Sequence, residues 1–87
     1  MVSEETRILI ADDSPFIRTA YTRILETQDD FNVVSIAENG LQAVDQASEL
    51  KPDVIVMDIR MPELDGISAS HKIREINPDT SVVVAVS

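Results

Sequence analysis

Sixteen Asp or Glu residues against seven Lys or Arg give this 87-residue chain a net charge of −9, a balance that repels nucleic-acid phosphates and anionic lipid and argues against either as a direct ligand. Cysteine is absent, which excludes disulfides and thiolate metal sites and leaves oxygen ligands or His71 for any metal. The length suits one small domain, which hides only about 60–65% of the surface its unfolded form exposes and therefore has a thin core.

Residues 1–6 form a polar lead, Met1-Val2-Ser3-Glu4-Glu5-Thr6, without the basic and then apolar pattern of a secretory signal. The longest apolar run, Val82 to Val86, is far short of the roughly 20 residues of a membrane helix. A cytoplasmic location is the expectation. Arg7 to Ala11 then reads as a first strand, a short aliphatic run of the kind buried on both faces of a sheet. Ser14-Pro15 marks a helix start, with Ser14 as cap and Pro15 in the first turn. Ile17, Ala20, Tyr21, Ile24 and Leu25 recur at helical spacing and predict an apolar face laid on the sheet.

Phe31 to Ala37 predicts a second strand, in which Val33, Val34 and Ile36 supply the β preference. Glu38-Asn39-Gly40 breaks it, and Leu41, Ala43, Val44, Ala47 and Leu50 mark a second helix closed by Lys51-Pro52. Val54 to Met57 is the third predicted strand. After a loop from Ile59 to Gly66, Ile67, Ile73 and Ile76 give a weaker helical pattern that stops at Asn77-Pro78, and Ser81 to Val86 is the fourth strand. The alternation of apolar strands and amphipathic helices argues a mostly parallel α/β sheet with helices on both sides and right-handed crossovers.

Three aspartates stand where predicted strands run out: Asp12 and Asp13 after the first, Asp58 after the third. Ligands of open α/β sheets bind outside the carboxyl ends of the strands. If the first and third strands are neighbours, the three carboxylates converge, and such a cluster either protonates or takes up a cation. Oxygen ligands favour a hard divalent ion, Mg2+ being the natural candidate. A carboxylate held beside Mg2+ can attack phosphorus and form an aspartyl phosphate, and Asp58 is the best placed to do so. The alternative open at this point is that Asp12 and Asp13 only decorate the turn before the Ser14-Pro15 helix and Asp58 only ends its strand.

Ile8-Leu9-Ile10-Ala11-Asp12-Asp13-Ser14, then Asn39-Gly40, then Pro52 to Asp58 and Met61-Pro62-Glu63-Leu64-Asp65-Gly66 together resemble the receiver domain of two-component response regulators. The resemblance runs in order from residue 7 to residue 87 and implies a flavodoxin-like, doubly wound sheet with strand order 2-1-3-4 as far as the sequence reaches. It also implies a phosphoryl group donated to Asp58 by a histidine kinase or phosphotransfer protein. Matched residue by residue, Asp13, Asp58 and the backbone carbonyl of Arg60 ligate Mg2+, and Asp12 acts through water. Pro62 and Gly66 are expected to shape the loop below the site, Gly66 by adopting positive φ. The face of the first helix near the site, with Phe16, Ile17 and Tyr21, is where such domains often meet the donor.

Arg60 argues against a haloacid-dehalogenase phosphatase, which resembles this pattern but places a second aspartate two residues after its nucleophile. Gly40 and Gly66 begin neither a G-x-G-x-x-G nor a P-loop pattern, and His71 is read as an exposed helical residue. Members of the resembling family have a fifth strand carrying a lysine that pairs with the phosphoryl group, and this sequence reaches only the fourth. Their switch Ser or Thr closes the fourth strand; counting from Asp58 without gaps puts Val86 there, with Ser87 one residue on as the possible switch hydroxyl. An uncovered Val82–Val86 edge is expected to pair with other chains and give a dimer or other self-association. The expected function is thus a phosphoacceptor signalling module and not a metabolic enzyme. Its alternatives are a phosphorylation-independent interaction or assembly module, or the front of a DNA-binding transcriptional regulator.

Overall fold

Short aliphatic strands alternate with eleven-residue helices throughout the computed structural model, which describes residues 5–85. In chain order the elements are β1 (Thr6–Ala11), α1 (Pro15–Leu25), β2 (Phe31–Ala37), α2 (Gly40–Leu50), β3 (Val54–Asp58), α3 (Gly66–Ile76) and β4 (Ser81–Ala85). The strands form one sheet in the order β2-β1-β3-β4, every neighbouring pair parallel. The expected flavodoxin-like α/β fold and its 2-1-3-4 order are therefore the observed ones. β4 stops at Ala85 within the described residues, and Val86, which the sequence reading included in it, lies outside them.

Strand alternation divides the core into two layers. Leu9 and Ala11 of β1 join Ala37, Ile55 and Met57 in one cluster with Ala43 and Ala47 of α2 and Ala69 and Ile73 of α3. Ile8 and Ile10 are equally buried but face the other way, where α1 lies against β1 and β2. Leu9, Ile10, Ile55, Met57 and Ile73 are the largest side chains wholly removed from water, each contributing about 1.5–3 kcal/mol. Alanines at the α2–α3 contact let the two helix backbones come close.

The inward helical stripes differ from the expected ones. α3 buries Gly66, Ala69 and Ile73, whereas Ile67 is 50% exposed and Ile76 is also exposed. Small residues take the inward positions because α3 runs directly over α2 and the loop after β3. In α1, Ile17, Ala20, Tyr21 and Leu25 are only half-buried and Ile24 is 64% exposed. Ile24 instead extends a surface stripe with Phe16 and Ala20, residues one, two and three turns along the same side of the helix.

Each helix begins with a side-chain cap. The Ser14 hydroxyl accepts from Ile17 N–H (3.3 Å), the Asn39 side chain from Gln42 N–H (2.9 Å) and the Asp65 carboxylate from Ser68 N–H (2.8 Å). The end of the sheet away from Asp12 is tied by Arg7, whose guanidinium donates to the Leu50 and Lys51 carbonyls at the α2 C-terminus. Thr80, buried, donates its hydroxyl to the Pro52 carbonyl at 2.7 Å.

Gly40 opens α2 against the loop after β3, so closely that a Cβ there would lie 1.8 Å from the Leu64 carbonyl oxygen. Backbone must move to relieve such a clash, and the helix-propensity gain of alanine does not offset it. Gly40→Ala is expected to destabilise the fold by about 1–3 kcal/mol in urea unfolding; an unchanged midpoint would show that the two backbones are not pressed together.

Candidate functional site

The β1–β3 register pairs Ala11 with Met57, so the next residue on each strand, Asp12 and Asp58, stand side by side at the carboxyl end of the sheet. Asp12 N–H donates to the Ala37 carbonyl at 3.0 Å, which holds the end of β1 against β2 as well. Asp12 and Asp58 are 3% and 5% exposed, and Asp13 is exposed beside them. One carboxylate oxygen from each of the three lies within 4.8 Å of the others. The sequence expectation that these acids converge is met by the fold itself.

Little in the surroundings neutralises them. Ser14 N–H donates to the Asp12 carboxylate at 2.9 Å and Arg60 N–H reaches that of Asp58 at 3.4 Å. The ion pair found among the described residues joins Arg18 to Glu38 and involves none of the three acids. Burial pushes the Asp12 carboxyl above its usual range. The Ser14 N–H works against that shift, the Asp58 and Asp13 charges reinforce it, and Arg18 opposes it weakly. A cluster of converging, underneutralised carboxylate oxygens fits a hard divalent cation such as Mg2+, which takes oxygen ligands and retains several waters. A carboxylate so placed also has the chemistry of a nucleophile.

The loop leading away from Asp58 owes its path to Gly66, though not through positive φ. No glycine among the described residues has positive φ; the left-handed residue in this loop is Glu63, at φ 71°. Gly66 is needed because a Cβ there would lie 2.2 Å from the Asp58 carbonyl oxygen. Its N–H donates to the Ile59 carbonyl at 3.1 Å, drawing the start of α3 under the acid. Asp65 caps that helix, and the Ser68 N–H it accepts holds its carboxyl below the usual range.

Among the remaining expected residues, Arg60 is exposed directly after Ile59 in this loop. Ala85, at the end of β4, pairs with Asp58, while Ser87 lies outside the described residues. His71 is exposed on α3, away from any cluster of possible metal ligands among the described residues. Of the three α1 residues named for donor contact, Phe16 is exposed and Ile17 and Tyr21 are half-buried.

One contributor escaped the sequence reading. The Arg18 guanidinium donates to the Asp12 carbonyl at 2.8 Å while pairing with Glu38. Its signal was present: a cation in the first turn of a helix opposes the helix dipole and invites another explanation.

Because burial and like charge raise the Asp12 pKa in the folded chain, the contribution of Asp12 to the stability of the metal-free fold is greatest below the unfolded carboxylate range. That contribution is lost as pH rises through the raised folded value. Asp12→Asn keeps an acceptor for Ser14 N–H but removes the charge. Urea unfolding without divalent ions should find it more stable than the parent at neutral pH, with the difference vanishing towards pH 3. A variant less stable than the parent at both pH values would contradict this electrostatic reading.

Comparison with known proteins bears on the same features. The profile of the response regulator receiver domain matches residues 8–87. A protein-glutamate methylesterase/protein-glutamine glutaminase of Thermotoga maritima is 45% identical over 98% of this chain, which spans only 25% of that protein. The crystal structure of the response regulator domain of Thermotoga maritima CheB superposes with a TM-score of 0.91 at 45% identity, covering 97% of this chain and 62% of that one. A chain of the crystallised CheX–CheY–BeF3–Mg2+ complex from Borrelia burgdorferi superposes with a TM-score of 0.89 at 29% identity, covering 95% of this chain and 63% of that one. The methylesterase activity is named for a protein four times as long as the segment shared here. With fold, strand order and family profile in agreement, the chain belongs to the response regulator receiver domain family.

Proposed function

We propose that Asp58 accepts a phosphoryl group from a phosphohistidine on a histidine kinase or phosphotransfer protein, within a Mg2+ site built by Asp12, Asp13 and Asp58. The observation that carries this reading is the convergence of three carboxylates, two of them buried, with no cationic side chain among the described residues bonded to any of the three carboxylate groups. Asp13, Asp58 and the Arg60 carbonyl would hold the metal directly and Asp12 through water. Mg2+, when bound, offsets the acids' mutual repulsion and the charge of the incoming phosphoryl group. Residues 7–87 supply the N-terminal two-thirds of such a module, as far as its fourth strand, behind a polar lead of residues 1–6 whose last residue, Thr6, already opens β1, and its place is the cytoplasm beside its donor. No helix among the described residues is long and apolar enough to cross a membrane.

The chain's own part in the transfer is to aim a carboxylate oxygen of Asp58 at phosphorus. Asp58 attacks in line as the P–N bond breaks, and the bonding pair stays with the imidazole nitrogen. The donor leaves as neutral imidazole when its other nitrogen carries a proton. The product is an acyl phosphate on Asp58, with atoms and charge conserved. Acetyl phosphate substitutes for the protein donor by the same attack, with acetate as leaving group.

Incubation with acetyl phosphate and Mg2+ is expected to add one acid-labile phosphate to the parent chain by intact mass and none to Asp58→Asn. An unmodified parent would favour the alternative reading, a module that works without phosphorylation. The β4 edge makes a second expectation for the 87-residue chain on its own. Val83 is 52% exposed and Val84 is also exposed on a strand with no further neighbour among the described residues. Such an edge pairs with other chains, so light scattering at micromolar concentration should report a mass above the monomer. Val83→Lys should shift it towards the monomer; a monomeric parent would refute the pairing.

A further inference from the structure

We propose that Arg18 is a positioning residue for the acidic site, setting the orientation of Asp12 and Asp13 together by holding the peptide between them. The proposal rests on the reading of Asp12, Asp13 and Asp58 as a Mg2+ site. Arg18 lies on the first turn of α1, its N–H donating to the Ser14 carbonyl at 3.0 Å. Its side chain is 14% exposed. One guanidinium nitrogen donates to the Asp12 carbonyl at 2.8 Å, and another lies 3.6 Å from Glu38 Oε1.

The Asp12 carbonyl belongs to the planar peptide unit that joins Asp12 to Asp13, so its direction fixes where the chain enters Asp13. The preceding unit is held separately, by Asp12 N–H on the Ala37 carbonyl. Ala37 and Glu38 are consecutive at the end of β2. The two anchors therefore close a frame: Asp12 to Ala37 through the backbone, and Asp12 to Glu38 through Arg18. Without Arg18, nothing recorded among the described residues holds that carbonyl, and Asp13, exposed at the surface, would lose its fixed approach to Asp58.

The geometry distinguishes this role from a purely electrostatic one. A cation near an acidic metal site opposes metal binding by Coulomb repulsion, so removing it for charge reasons alone tightens binding. Removing it as a support loosens binding, because ligands held by well-placed neighbours bind better than those left free. The planar fork matters as well, since it reaches two oxygens on different elements, which a lysine ammonium on a flexible stem does less well.

The test is Mg2+ binding by isothermal titration calorimetry on the parent chain, Arg18→Gln and Arg18→Lys, each kept well below its own thermal midpoint. Both variants are expected to bind Mg2+ more weakly, Arg18→Gln by roughly tenfold and Arg18→Lys by less. Their acetyl phosphate reaction should need correspondingly more Mg2+ and regain the parent rate when Mg2+ is saturating. Should Arg18→Gln fail to fold, Arg18→Lys decides alone. Mg2+ affinity equal to or tighter than the parent's in the folded variants would overturn the proposal. A parent chain that binds Mg2+ but takes no phosphate would instead count against Asp58 as acceptor, leaving the affinity comparison to judge Arg18.

Discussion

The parallel register between β1 and β3 is the constraint on which the site depends. It sets Ala11 against Met57 and so brings Asp12 beside Asp58, with Asp13 one residue further on. Residues 46 apart in sequence become neighbours because α1, β2 and α2 return the chain to the other side of β1. A slip of one residue would turn every side chain of β3 to the opposite face, taking Ile55 and Met57 out of the core they share with Leu9 and Ala11. The apolar packing beneath the site thereby fixes the register, and the register fixes the acids. Their mutual repulsion works against the fold and is offset by burial of the strands that carry them.

Two close backbone approaches extend that rigidity to the loop after β3. Gly66 lies against the Asp58 carbonyl, and Gly40 at the start of α2 lies against Leu64. The first draws α3 up to the acid, and the second presses α2 onto the same loop. Arg18 on α1 completes the arrangement on the β1 side, linking the Asp12 carbonyl to Glu38 just beyond β2. The residue before α2 is Asn39, whose side chain caps that helix. The junction from Glu38 to Gly40 thus touches both the β1 and the β3 halves of the site, and each half is supported where its carboxylates leave the sheet.

The strands and the acids were legible in the sequence because both depend on local pattern. Ile8-Leu9-Ile10 and Val54-Ile55-Val56-Met57 are continuous apolar runs, and each ends in Asp. The helix faces were less legible, since burial there follows from what packs against the helix. Ala69 and Gly66 face inward on α3 because space beside α2 and Asp58 is short, while the larger Ile67 stays at the surface. The same close packing explains why positive φ was the wrong reason for Gly66, the left-handed turn falling instead at Glu63. Arg18 was passed over because its contacts, with a backbone carbonyl and with a residue 20 positions away, leave no periodic trace.

The central claim is that the three carboxylates form one site for a divalent cation, and thermal unfolding with MgCl2 against NaCl at matched ionic strength tests it most directly. A cation bound only by the folded chain stabilises it by about 1.4 kcal/mol at roughly ten times its dissociation constant. In a domain of this size that corresponds to a rise of several degrees in the midpoint. The account predicts that rise with MgCl2 for the parent chain, and its loss in Asp13→Asn combined with Asp58→Asn. Coincident midpoints of the parent in the two salts would contradict it.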